Sequence, residues 1–148
     1  MIQKINLNHP GTLNSLYELQ LKSYLVEARI VKSKMLPPLL EKKEDLLASD
    51  EVFWAIVSAK KIMGAVSVFE DVDFVQICRL FIDPDYFRQG LAKQLLEYVF
   101  TQFPNRKIIV STGSLNEPAC LLYESLGFSI LERINTEIGV ELSVYIKS

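Results

Sequence analysis

The sequence predicts a mixed α/β fold, an α+β arrangement of one sheet with helices, and three observations carry that prediction. Residues 52–58, 62–69 and 74–82 are successive runs of β-branched and aromatic residues, the composition that suits a pleated, half-buried surface. The period then changes: Leu91, Leu95, Leu96, Val99 and Phe100 recur at helical spacing before Pro104, so a helix follows the three strands. Residues 108–110 return to a short apolar run, which completes a strand-helix-strand unit with parallel strands.

The remaining elements follow in chain order. Ile2, Ile5 and Leu7 alternate weakly and stop at His9, Pro10 and Gly11, which predicts a first strand over residues 2–7 and a turn. From Thr12, read as an N-cap, Leu13, Leu16, Tyr17, Leu19, Tyr24, Ala28 and Val31 keep helical spacing. Pro37 and Pro38 interrupt that helix, and residues 39–48 form a second one with Glu41, Lys42, Lys43 and Glu44 on its wet face. Residues 116–126 form a helix closed by Gly127, which can take the left-handed conformation of a helix C-terminus. Residues 128–134 and 140–146 are the last strands. The order is β-αα-βββ-α-β-α-ββ, one domain over residues 1–148, without repeat or linker.

Bulk properties narrow the function. At 148 residues the chain has the size of one domain, able to bury roughly 68–70% of its unfolded surface. Hydrophobic residues make up 49% and charged residues 23%, the balance of a folded globular chain. The net charge of −2 without a dense basic run gives no electrostatic footprint for nucleic acid or an anionic membrane. His9 is the only histidine and has no nucleophile beside it in sequence, which argues against a Ser-His or Cys-His hydrolase. No ligand spacing suggests a metal. Cys78 and Cys120 read as two buried thiols, and the chain as cytoplasmic.

The segment Pro84, Asp85, Tyr86, Phe87, Arg88, Gln89, Gly90, Leu91, Ala92 joins a strand to a helix. At such a junction free backbone N–H groups and the positive helix end favour an anion. Gly90 permits close backbone approach, Ala92 keeps the first helical turn narrow, and Arg88 with Lys93 adds positive charge suited to a pyrophosphate.

Those residues carry a resemblance. Arg79-Leu80-Phe81-Ile82-Asp83-Pro84, followed by Tyr86, Gly90, Leu91, Ala92 and Leu95-Leu96, resembles the acetyl-CoA motif of the GNAT acetyltransferases. Downstream, Asn116, Ala119, Leu122, Tyr123, Glu124, Leu126, Gly127 and Phe128 resemble the family's second signature. The element order is similar to the GNAT acyl-CoA N-acyltransferase fold over essentially the whole chain. One position departs: the motif is written Gln/Arg-x-x-Gly-x-Gly/Ala, and its first position here is Phe87, with arginine displaced to Arg88.

The resemblance implies acetyl-CoA as co-substrate, with no metal. Leu80, Phe81 and Ile82 would offer backbone groups to the pantetheine arm. Phe87, Arg88, Gln89, Gly90, Leu91, Ala92 and Lys93 would surround the pyrophosphate, and Asn116 would contact the arm. The strand ending at Ser111, Thr112 and Gly113 would splay from its neighbour to admit the thioester. Tyr123 would protonate the departing thiolate. The glutamate that some members carry on the cofactor strand falls by position on Gln76, which cannot act as a base. Glu27, Glu70, Asp71 and Glu141 are the other carboxylates considered, and the base stays open among them.

The acceptor site would lie between the first helices and the sheet, with Tyr24, Glu27, Arg29, Met35, Leu36 and Glu41 as lining candidates, Tyr24 and Glu27 foremost. The expected reaction is acetyl transfer to a primary amine, in the first instance of a small molecule, with a homodimer allowed. A protein or aminoacyl-tRNA acceptor and an acyl-CoA-binding sensor without turnover are the alternatives.

Overall fold

The computed structural model describes residues 1–32 and 36–148. Its elements are β1 (Ile2–Lys4), α1 (Pro10–Val31), α2 (Pro37–Leu40), α3 (Lys43–Ala48), β2 (Val52–Ser58), β3 (Lys61–Glu70), β4 (Val75–Ile82), a 3-10 turn (Pro84–Tyr86), α4 (Leu91–Gln102), β5 (Ile108–Gly113), α5 (Glu117–Ser125), β6 (Ser129–Asn135) and β7 (Glu141–Lys147). The strands form one sheet in the order β1-β2-β3-β4-β5-β7-β6. Every neighbouring pair is antiparallel except β4 with β5, as the strand-helix-strand unit requires.

Each face of the sheet has its own helices, because the strands alternate apolar residues to both sides. Trp54, Ile56, Val66, Val68 and Val75 pack against Leu91, Leu95, Leu96 and Val99 of α4 and Tyr123 of α5. On the opposite face Phe53, Ala55, Ala65 and Phe81 pack against Leu13, Leu16 and Leu19 of α1 and Leu46 of α3. A smaller cluster of Ala28, Val31, Leu36 and Val140 closes the C-terminal end of α1. Among the described residues no helix is long and apolar enough to cross a membrane.

Four local expectations are corrected. The first helix starts at Pro10, and its cap is His9, whose Nδ1 accepts from the Thr12 amide at 3.3 Å. Proline at the first helical position costs no hydrogen bond, so His9, Pro10 and Gly11 begin a helix instead of making a turn. The first strand pairs only over its first three residues. The expected second helix is two short ones, separated by extended backbone at Glu41 and Lys42. There the Tyr17 hydroxyl donates to the Glu41 carbonyl at 2.8 Å, and the Lys42 amide donates to Asp45 Oδ2 at 2.7 Å. That break turns the Glu41 side chain inward, onto Arg79, and not to the wet face. The cysteines are not both buried: Cys78 is exposed and Cys120 is half-buried.

Candidate active site

The site begins where β4 and β5 part. Their pairing covers only Val75↔Ile108, Gln76↔Ile109 and Ile77↔Val110, although β4 continues to Ile82 and β5 to Gly113. At the parting β4 holds one extra residue, Cys78, because Ile77 pairs with Val68 while Arg79 pairs with the adjacent Ser67. Such a bulge increases local twist, and one added residue reverses which face each side chain serves. Before it, Val75 and Ile77 pack on the α4 side; after it, Phe81 packs on the α1 side. The bulge also explains the exposed thiol of Cys78. The Asp83 amide donates to the Met63 carbonyl at 2.8 Å on the β3 side. By alternation the backbone groups of Leu80 and Ile82 face the open edge, where β5 no longer reaches them.

The wedge opens into a cleft of about 610 Å³, bounded by α1, the second half of β4, the first turn of α4, the end of β5 and α5. At one end stands the N-terminus of α4. Gly90 is its N-cap residue, with φ +74°, and none of the described side chains bonds its first-turn amides. Helices α1 and α5 differ, since His9 and Asn116 accept from first-turn amides there. Arg88 also takes a left-handed φ, +63°, at about 1–2 kcal/mol for a residue with a Cβ. A Cβ built on Gly90 would meet nothing within 4 Å, so the space beside this residue is open. Arg88 and Lys93 line this end.

Tyr123 is placed by the way α5 ends. The Phe128 amide donates to the Tyr123 carbonyl at 3.0 Å and the Gly127 amide to the Glu124 carbonyl at 3.2 Å, with Gly127 at φ +93°. This pattern terminates a helix and brings the flanking apolar side chains together. The Phe128 and Tyr123 rings accordingly sit 5.7 Å apart, with Tyr145 at 5.8 Å on Tyr123. The Tyr123 hydroxyl bonds to none of the described side chains and borders the cleft. Burial, then the charge of Glu27, holds it protonated well above the usual tyrosine value.

Glu27 stands across the cleft on α1. Its Oε1 accepts from Asn116 Nδ2 at 3.1 Å and from Thr112 Oγ1 at 3.4 Å. Burial pushes its carboxyl above the usual range, and those two hydrogen bonds partly restrain the shift. Tyr24, one turn earlier, packs its ring 5.9 Å from Phe81. Its hydroxyl is also held protonated, by burial first and then by Glu27.

Of the expected cofactor residues, Leu80, Phe81, Ile82, Phe87, Arg88, Gly90, Leu91, Ala92, Lys93 and Asn116 line the cleft, and Gln89 does not. Asn116 has two protein partners, Glu27 and the Ala119 amide. Tyr24 and Glu27 line the cleft as well. The other acceptor candidates do not: Arg29 is exposed, Leu36 belongs to the cluster at the end of α1, Glu41 pairs with Arg79, and Met35 lies outside the described residues. Gln76 is exposed on β4 ahead of the bulge. Glu70 pairs with Arg106, Asp71 is exposed, and Glu141 faces Arg133, all away from the cleft. Sequence reasoning missed Ser23, Val26 and Ile30, which line it beside Glu27. Their spacing, 23, 26, 27 and 30, is one helix face, and extending the face outward from Glu27 would have found them.

The acetyltransferase (GNAT) family profile matches residues 13–128. UPF0157 protein YqkA of Bacillus subtilis (strain 168) is 32% identical over 146 residues, 98% of this chain and 43% of that protein. The [Ribosomal protein bS18]-alanine N-acetyltransferase of Escherichia coli (strain K12) is 35% identical over 71 residues, 45% of this chain and 48% of that one. The chain thus spans less than half the length of these curated relatives. Among solved structures, the ribosomal-protein-S18-alanine N-acetyltransferase of Escherichia coli superposes with a TM-score of 0.77 at 19% identity, covering 99% of this chain and 91% of that one. Aminoglycoside 6'-acetyltransferase type Ii does so with 0.77 at 16% identity, covering 100% and 96%. With the family's two motifs meeting in one cleft and the profile spanning both, the chain belongs to the acetyltransferase (GNAT) family.

Proposed function

We propose that residues 1–148 act as one catalytic domain that moves an acetyl group from acetyl-CoA to the primary amine of a small molecule by direct transfer. One observation carries this: the parted β4–β5 edge and the N-terminus of α4, which has no side-chain cap, open into the same cleft. Those groups fit acetyl-CoA. The Leu80 and Ile82 backbone, which β5 leaves unpaired, can bond an amide-bearing arm as a further strand would, and the open amides of α4 with Arg88 and Lys93 suit a pyrophosphate. Backbone groups form most of that cradle, so Phe87 in place of the motif's first polar residue is tolerated.

When bound, acetyl-CoA supplies an activated acyl group on a sulfur leaving group. The chain contributes position and protons. A backbone N–H on the free edge of β4 polarises the acyl oxygen. Tyr123, protonated at neutral pH, gives its proton to the leaving sulfur and regains one from solvent. The near-balanced charge of the chain favours a small amine over a tRNA. A homodimer joined along β6 belongs to the same reading, since Ile130, Leu131 and Ile134 on that edge strand all stand in solvent. Sedimentation at two concentrations tests that part.

Thiol release from acetyl-CoA across a panel of amines tests the reaction. Amine-dependent release is expected. Tight binding with no release by any amine or peptide would favour the sensor reading.

A further inference from the structure

We propose that Glu27 is the acceptor residue of this cleft: its Oε2 seats the ammonium of the amine, takes its proton, and selects against amines that carry a neighbouring carboxylate. The proposal rests on the acetyl-transfer reading above and names the amine class it would use.

Three observations support it. First, the two carboxylate oxygens differ. Asn116 and Thr112 both donate to Oε1, while Oε2 accepts from none of the described residues. A carboxylate can accept about four hydrogen bonds, so the open oxygen has capacity for an ammonium. Second, Glu27 is the one carboxylate among the described residues lining the cleft. The cations there are separated from it in role. Arg88 and Lys93 stand at the α4 end, and Arg79 is occupied by Glu41 and Glu51. Third, Glu27 is fixed from outside its own helix. Asn116 holds it while capping α5, two turns before Tyr123, and Thr112 holds it from the end of β5. The carboxylate is thereby held from α5 and β5 in the same cleft that the Tyr123 hydroxyl borders.

The proton count closes. Glu27 Oε2 takes one proton from the ammonium and passes it to solvent. The freed lone pair forms the C–N bond, the C–S bond breaks, and its electron pair leaves on sulfur. The nitrogen's second proton leaves to solvent as the amide forms, and it balances the one that Tyr123 gives to sulfur and regains from solvent. The groups that face Glu27 are the Tyr24 and Tyr123 hydroxyls, both held protonated, with Asn116 and Thr112, which carry no charge.

Specificity follows from the same charge. A carboxylate on the carbon bearing the amine would be drawn within a few ångströms of Glu27 in a half-buried setting, where like charges repel strongly. The walls beside it, Tyr24, Val26 and Ile30, suit an apolar body.

The test compares 2-phenylethylamine with L-phenylalanine, which differ by that carboxylate, in the wild type and in Glu27→Gln. Glutamine keeps the shape and an acceptor for Asn116 and Thr112, so CoA titration should be unchanged and reports an intact site. We expect the wild type to favour 2-phenylethylamine by about tenfold or more in kcat/KM. Glu27→Gln should lose about 10²-fold on 2-phenylethylamine and most of the preference. Its kcat-against-pH profile should also lose the low-pH ionisation. A variant that keeps rate, preference and profile overturns the proposal, as does wild-type protein that binds CoA but shows no preference or no transfer to 2-phenylethylamine. Wild-type protein that binds no acetyl-CoA overturns the underlying reading as well, which separates the two failures.

Discussion

Arg79 reaches helix α1 from β4 and Glu27 projects from that helix, and the protein completes the first charged group and leaves the second open. The Arg79 guanidinium has five N–H donors, and all five have acceptors: Glu51 takes two, Glu41 two and Gln20 one. Ser67 adds a 2.6 Å bond to Glu51. The hydrogen bonds to Glu51 and Glu41 outweigh burial and keep the guanidinium firmly charged. Glu27 has one oxygen with two donors and another with none. A closed polar cluster ties elements together, here α1, the α2–α3 link, the residue before β2, β3 and β4. An open one, with a neighbouring strand edge and helix end also open, is where a ligand's groups can be accommodated.

Breaking the closed cluster should give the largest effect. Arg79→Met leaves Glu41 and Glu51 facing each other without their counter-charge, and should cost about 3 kcal/mol, at the low end because both carboxylates keep some hydration. A urea unfolding midpoint unchanged from wild type would show that the cluster is not structural. On the open side, Tyr123→Phe should lower kcat by about 10²-fold with acetyl-CoA affinity unchanged by calorimetry. Full kcat in that variant removes the general-acid role.

Smaller effects sharpen the contrast. Arg88→Ala should weaken acetyl-CoA binding by several-fold, about 1 kcal/mol, and the deficit should shrink as salt rises. An unchanged dissociation constant at low salt would take Arg88 out of the phosphate site. Least is expected from Glu27→Gln on stability, and its sign depends on pH. The folded-state pKa of Glu27 is raised, so its contribution is fully present below the unfolded value near 4.3 and is lost as pH rises through the folded value. The variant should match wild type at about pH 4 and become slightly the more stable at about pH 7. Urea midpoints that converge at neutral pH and diverge at low pH would contradict the shift.

Much of the sheet was legible because strand runs and turn signals are local. Residues 52–58 and the end of α5 at Gly127 fell where the sequence placed them. The errors arose where long-range contacts override local preference. The break at Glu41 depends on Arg79, 38 residues away, and no local pattern announces it. The bulge at Cys78 is set by pairing with β3, and this thiol, read from the sequence as buried, is exposed. At the candidate site, the α4 turn and Tyr123 could be read from motif spacing. The Glu27–Asn116 bond, spanning 89 residues, could not, and it separates Glu27 from three other carboxylates of equal standing in the sequence.

The most direct test of the central claim is calorimetric titration of the protein with acetyl-CoA, followed in the same sample by thiol release with an amine present. The account predicts saturable binding at one site per chain, weakened by Arg88→Ala, and release that requires the amine. No binding, or binding that Arg88→Ala leaves untouched together with no release, would contradict it.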